Sequence, residues 1–286
     1  MTRPAGLGLA QLGFLDVEPP TLIDVAARAG FAAISVRTRA VVPGGPEHPL
    51  ATGSRMSRET LARIRATGVG ILQVELVQLV ADTDIASCRP MLEGAAALGA
   101  ERVVATGDDA DDHVVADRLA RLCDLAAEYR MIVDLEFMPF RHLATLAQAL
   151  RVVALAARDN ACVMIDALHL FRSGGTVADV AAVPGQGLGV CQLCDAPLAA
   201  PAPDRLAVEA REQRLLPGSG ELPLRSLLEA LPEGSPLVAE VPIGSWYPAL
   251  SPLERALLVY RSTSALLAGT PPRGDVRPGG APLSAA

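Results

Sequence analysis

Four apolar runs in the second half of this chain each deliver one oxygen-bearing side chain near their end. Ile132–Phe137 carries Glu136, Cys162–Ile165 stops at Asp166, Leu188–Cys191 stops at Gln192, and Pro236–Val241 carries Glu240. Gathered together, three carboxylates and one amide oxygen form a hard anionic cage. Such a cage suits one divalent metal ion, Mn²⁺ first and Mg²⁺, Co²⁺, Zn²⁺ or Fe²⁺ after it, rather than a soft thiolate metal. Without a cation the clustered carboxylates repel one another and their pKa values rise. A histidine follows the second run at Asp166-x-x-His169, where it could bond a substrate oxygen or shuttle a proton. Arg214 stands before Pro-Gly-Ser-Gly, and its planar fork suits a carboxylate, a phosphate or clustered hydroxyls. Glu75, inside the apolar run Ile71–Leu79, and Arg37 are further candidates for the substrate end of a pocket. Each of these residues, taken singly, could be an ordinary strand-end or solvated loop residue. Their recurrence at four successive run ends is what favours a site. His48, His113 and His142 show no ligand spacing and are expected at the surface.

Something must hold these groups at one level. Period-two alternation puts Asp134 with Glu136, Met164 with Asp166, Val190 with Gln192 and Val238 with Glu240 on shared strand faces. The remaining apolar runs read as strands at Gly6–Leu12, Ala32–Val36, Ile71–Leu79 and Arg102–Ala105. Between the runs lie helical patterns over 21–29, from Ser57 to Gly68, 84–98, 111–129, 142–156, 222–231 and 253–267, with a short helical segment after His169. Val41–Arg55 and Ala196–Gln213 read as long loops. Eight strands alternating with helices imply a parallel sheet, and eight such units favour closure into a single (β/α)8 TIM barrel, an α/β fold. No G-x-G-x-x-G follows a strand, which weighs against an open dinucleotide-binding sheet. In such barrels catalytic groups stand at the C-terminal ends of the strands, where all four residues of the cage fall.

Composition agrees. The chain has 286 residues, and a barrel of this kind needs about 250. The expectation is one catalytic domain over 1–269 and a Pro-, Gly- and Ala-rich disordered tail over 270–286. Net charge is −7, with no basic run, which disfavours a nucleic-acid partner. All 25 basic residues are arginine, so Schiff-base or general-base chemistry on lysine is excluded. The 5 scattered cysteines are expected to be reduced packing residues. Cys191-x-x-Cys194 lacks a second pair for zinc. The N-terminal stretch lacks the pattern of a signal peptide, and no apolar run is long enough for a membrane span. A soluble, cytoplasmic protein without a membrane partner is expected.

The segments LEFMPF, IDALHLFRSGG, VCQLCDAP, RLLPGSGELPL and VAEVP resemble the sugar phosphate isomerase/epimerase-like family, the xylose-isomerase-type TIM barrels. The resemblance is strong over strands five to eight and holds in outline over the first four. It implies one divalent metal on Glu136, Asp166, Gln192 and Glu240, proton exchange by Glu136 and Glu240, and substrate contacts from His169 and Arg214. Many sugar epimerases carry histidine where this chain has Gln192. Glutamine there, with QLCDAP and RLLPGSGELPL, resembles the 3-dehydroshikimate dehydratases. The implied activity is a metal-dependent isomerase or epimerase acting on a small polyhydroxy carbonyl compound, such as a keto-sugar, through an enediolate. The alternative is a dehydratase or other lyase acting on a cyclic hydroxy-ketone. A metal held by a carbonyl and a neighbouring hydroxyl would acidify the carbon between them, the first step common to all these outcomes. An endonuclease family shares the barrel, but it needs many histidines and a basic face, against the 4 histidines and acidic charge here. A catalytically dead barrel is disfavoured by the intact ligand set. Homodimers and tetramers are common among members of the family; the residues themselves fix no oligomeric state.

Overall fold

A computed structural model describes residues 6–41, 44–243 and 249–270. Eight parallel strands close on themselves in sequence order. They are β1 (Gly8–Leu9), β2 (Ala33–Arg37), β3 (Gly70–Leu79), β4 (Arg102–Gly107), β5 (Ile132–Glu136), β6 (Ala161–Asp166), β7 (Leu188–Leu193) and β8 (Leu237–Ala239). Closure is made at β1, where Gly8 pairs with Ala33 on one side and Val238 on the other. The helices are α1 (Pro19–Ala29), α2 (Arg55–Thr67), α3 (Arg89–Ala97), α4 (Asp112–Ala127), α5 (Leu146–Ala156), α6 (Ala167–Arg172), α7 (Val177–Ala181), α8 (Leu206–Glu212), α9 (Leu224–Ala230) and α10 (Pro252–Leu267).

Two apolar layers follow from the alternation of side chains along each strand. The larger lies between strands and helices and includes Ile34, Val74, Val103, Leu135, Ile165, Cys191 and Ala239. The smaller fills the barrel: Ala10, Val104, Met164, Val190 and Val238. Met164, Val190 and Val238 therefore point inward, and Asp166, Gln192 and Glu240, two residues further on, lie on the same inner face above them. This is the parity read from the sequence.

Several boundaries differ from the sequence reading, each for a local reason. Helix α2 begins before Ser57, because Ser54 accepts a hydrogen bond from the Ser57 amide and so caps the first turn. Helix α5 begins at Leu146, since Thr145 caps it through the Gln148 amide. The segment 84–98 divides into a 3₁₀ turn, Ile85–Cys88, and α3, where Pro90 occupies the first turn, the place that tolerates a missing N–H. Residues 206–212, expected as loop, form α8; helix formers such as Leu206, Ala207 and Glu209 follow the prolines that break the segment earlier. The first strand is shorter than expected, because Gln11–Phe14 turn into a 3₁₀ helix. His113 and His142 are exposed as expected, but His48 is half-buried with Nε2 against the Leu15 carbonyl at 3.2 Å. The 5 cysteines are free and buried. Of the expected tail, residues 271–286 lie outside the described residues. Among the described residues no helix is long and apolar enough to cross a membrane.

Candidate metal centre

Glu136, Asp166, Gln192 and Glu240 stand at the C-terminal ends of their strands, all at most 6% exposed, but Glu240 lies outside the group of acids and histidine whose donor atoms fall within 4.8 Å of one another. Gln192 donates from Nε2 to Glu240 Oε1 at 3.1 Å. Arg214 spans two of the acids: Nη1 donates to Asp166 Oδ2 at 2.5 Å and Nη2 stands 3.1 Å from Glu240 Oε2. Its own Nε donates to the Ala210 carbonyl at 2.6 Å, so α8, absent from the sequence reading, orients the guanidinium. The loop beneath is stapled by Asp195. Its carboxylate accepts from the amides of Ala196, Gly218 and Leu222, and its backbone bridges to Leu215, the residue after Arg214.

Asp166 also caps α6, accepting from the His169 amide at 3.0 Å, and this turn brings the imidazole back over the acids. His169 Nε2 lies 3.7 Å from Glu136 Oε1. One donor atom from each of Glu136, Asp166 and His169 falls within a 4.8 Å cluster, close enough to share one cation. The imidazole, which the sequence reading kept for substrate or proton transfer, thus also stands within ligand range. Arg37 and Glu75 line the same cavity as an ion pair, Nη2 to Oε2 at 3.2 Å.

The charges do not balance here. Burial, then the neighbouring Glu240 and Asp166, push Glu136 well above the usual carboxylate range, although Arg214 opposes them. Burial raises Glu240 to about 8 in spite of Arg214, with Glu75 and Asp166 adding to the rise. Asp166 feels burial too, but Arg214 and His169 outweigh it and hold the acid below its ordinary value. Burial lowers His169 to about 4, against the pull of Asp166, so the ring is neutral near pH 7. A buried group with a raised pKa shows that its ionised form lacks compensation. Among the described residues, Gln192 Oε1, His169 Nδ1 and Glu75 Oε1 are buried without a hydrogen-bond partner. Carboxylates, an amide oxygen with no donor and a neutral imidazole together fit a hard or borderline divalent cation.

The cavity above these groups has a volume of about 260 Å³. Besides the residues read from the sequence, it is lined by Phe140 and Arg141 from the turn after β5 and by Arg211 from α8. Phe140 meets the His169 ring edge to face at 5.5 Å, and the Arg211 guanidinium lies over Phe140 at 5.8 Å. Arg141 bonds Asp108 through Nη1. These three residues were missed by reading strands alone; the loops that follow strands at the functional face were the signal that points to them.

A family model for xylose isomerase-like TIM barrels matches residues 23–262. No curated protein matches the chain in sequence. Among solved structures, the IOLI protein with a zinc atom bound is similar over 92% of this chain and 98% of its own, at 21% identity and TM-score 0.77. The probable 3-DHS dehydratase AsbF of petrobactin synthesis from Bacillus anthracis matches over 92% and 98%, at 15% identity and TM-score 0.71. D-psicose 3-epimerase from Clostridium cellulolyticum H10, with D-tagatose, matches over 93% and 98%, at 15% identity and TM-score 0.67. The chain spans 45% of a longer xylose isomerase-like TIM barrel/4-hydroxyphenylpyruvate dioxygenase fusion protein, at 19% identity and TM-score 0.75. At these identities the likeness is one of fold.

Proposed function

The chain belongs to the xylose isomerase-like TIM barrel family, and on that footing we propose that it is a divalent-metal-dependent isomerase or epimerase of a small hydroxy-carbonyl compound. The observation that carries this reading is the uncompensated acid at the mouth: Glu136 and Glu240, buried and raised, beside Asp166 and an amide oxygen with no donor. Glu136, Asp166, Gln192 and Glu240 would hold the cation, with His169 in reach. Mn²⁺ is our first choice, and Mg²⁺, Co²⁺, Zn²⁺ and Fe²⁺ suit the same donors. When bound, it supplies Lewis acidity to a carbonyl and a neighbouring hydroxyl of the substrate.

The protein's own groups do the proton chemistry. Glu240, ionised once a cation is bound beside it, would be suited to take a proton from the carbon beside the carbonyl. Glu136, three strands away around the barrel, is suited to return one to the other face, which inverts that centre. Return to the neighbouring carbon gives an isomer instead. Neutral His169 can donate to or accept from a substrate hydroxyl, and Arg214 holds Asp166 and Glu240 in place. A second reading, dehydration of a cyclic hydroxy-ketone, uses the same proton removal and then expels a β-hydroxyl. It is favoured by Gln192 at the position where sugar epimerases of the family commonly carry histidine.

The test is bound metal per chain for the wild type and Asp166→Asn, purified side by side. Near-stoichiometric divalent metal in the wild type, lost in the variant, supports the reading; no retained metal after reconstitution with Mn²⁺ removes it. Solvent-deuterium exchange into keto-sugars and cyclic hydroxy-ketones then separates the outcomes. Ultraviolet-absorbing product from 3-dehydroshikimate would select the dehydratase reading.

A further inference from the structure

Helix α8 lacks the usual means of holding itself in place. It has 7 residues, its N-cap Arg205 makes no side-chain cap bond, and only Glu209 and Ala210 are buried. A helix of this length is marginal alone, and an apolar face normally docks it. Here a charged side chain does so. Glu209 meets Arg172, the last residue of α6, through two parallel bonds, Nε to Oε2 and Nη2 to Oε1, both at 2.8 Å. The two side chains are 7% and 2% exposed. The same guanidinium reaches the chain after β7, where Nη2 donates to the Pro197 carbonyl at 2.8 Å.

What α8 carries matters for the acid cage. The residue after Glu209 is Ala210, whose carbonyl accepts from Arg214 Nε at 2.6 Å. The bridge between Asp195 and Leu215 holds the backbone beside Arg214, but the direction of its fork rests on that carbonyl. A fork serves only when both prongs arrive, and here Nη1 meets Asp166 while Nη2 meets Glu240. Arg172 stands one turn after His169 in α6. One ion pair thus ties the helix that presents His169 to the helix that aims Arg214. A buried pair can often be replaced whole by apolar residues at no cost in stability, so stability alone does not explain one at this place.

We propose that Arg172 and Glu209 are positioning residues of the metal centre: their pair seats α8 and thereby sets where Arg214 spans Asp166 and Glu240. Neither residue lines the cavity; both act through Ala210 and Arg214. This deepens the function proposed above and rests on it for the effect on metal binding. The coupling between the pair and Arg214 is a property of the metal-free protein as well.

The experiment is a mutant cycle in the full chain between Arg172→Met/Glu209→Leu, which removes the pair whole, and Arg214→Met. In EDTA-treated protein, Arg214→Met strands two buried acids and should lower the urea midpoint. With the pair removed, the same substitution should cost less than half as much, because Arg214 is already out of place. In Mn²⁺ titrations Arg214→Met should tighten binding by about tenfold, since the ion no longer shares Asp166 and Glu240 with a guanidinium. The pair variant should show most of that change, and all three substitutions together no more than Arg214→Met alone. A merely structural pair would leave Mn²⁺ affinity unaltered, or its effects would add to those of Arg214→Met; either result overturns the proposal. If the pair variant does not fold, Glu209→Asp, which keeps the charge and shortens its arm, enters the same cycle. A wild type that binds no Mn²⁺ removes the proposed function, and the metal-free cycle still decides the role of the pair.

Discussion

Two buried ionic clusters lie in one barrel, and they are built by opposite rules. Beneath the mouth, Arg102 from the start of β4 forms a two-pronged pair with Asp134 of β5, at 2.5 and 2.6 Å, with both side chains at most 4% exposed. One cation meets one anion, and Gly189 of β7 leaves the space that the Asp134 carboxylate fills. At the mouth, Arg214 faces Asp166 and Glu240 with Glu136 close by, and burial first, then the acidic neighbours, raise the carboxyls of Glu136 and Glu240. The matched pair completes the interior. The mismatched cluster has fewer cations than acids, a charge balance that is compatible with the proposed metal site.

The comparison can be broken most forcefully at the floor. Asp134→Leu strands the Arg102 guanidinium in the barrel interior and should cost about 3–5 kcal/mol in urea denaturation. Adding Arg102→Met should recover most of that loss, because a pair removed whole leaves no charge behind. Next comes Gly189→Ala. Its new Cβ would lie 1.8 Å from Asp134 Oδ1, so the pair must shift. A loss of about 1–3 kcal/mol is expected by the same measurement.

At the mouth the sign reverses. In metal-free protein at pH 8, Glu136→Gln removes a buried carboxyl that burial and the neighbouring Glu240 and Asp166 disfavour in its charged form, and should raise stability in urea denaturation. The same variant should bind Mn²⁺ more weakly and lose activity. If it destabilises the metal-free protein as Asp134→Leu does, the two clusters are alike and the contrast fails.

The subtlest expectation is a slope with pH. Glu240 titrates near 8 in the folded protein, against an ordinary value of 4.5, and Glu136 is raised as well. Between those limits the folded state holds more protons than the unfolded one. Metal-free stability should therefore be fully present below about pH 4.5 and decline as pH rises toward about 8, by at most about 1.4 kcal/mol per unit for each group. Asp166, held low by Arg214, acts in the other direction only in stronger acid, its contribution being lost as pH falls below 3.8. Metal affinity should climb over the same neutral range, because the ligands must be deprotonated to bind. Denaturation with EDTA and with saturating Mn²⁺ from pH 5 to pH 9 reads both trends.

The two clusters were also unequally legible. Glu136, Asp166, Gln192 and Glu240 could be read because each closes an apolar run, and because alternation along a strand is a local property of the chain. Asp134 was visible on the same face as Glu136, but its partner Arg102 lies 32 residues earlier, and nothing local joins them. Glu75 stood out as a carboxylate inside an apolar run; that Arg37 is its partner became visible only once β2 and β3 lay side by side. Helix α8 was hidden behind prolines, and with it the support of Arg214 and the position of Arg211.

What the sequence determined by itself was the eight-strand barrel, its inward parity and the residue types at the strand ends, since all three follow from short-range periodicity. What only the tertiary structure decided was the pairing: which cation answers which anion, and where a surplus remains. Those pairings depend on distances across the barrel, and the energy of a buried charge is set by the neighbours that the fold places beside it.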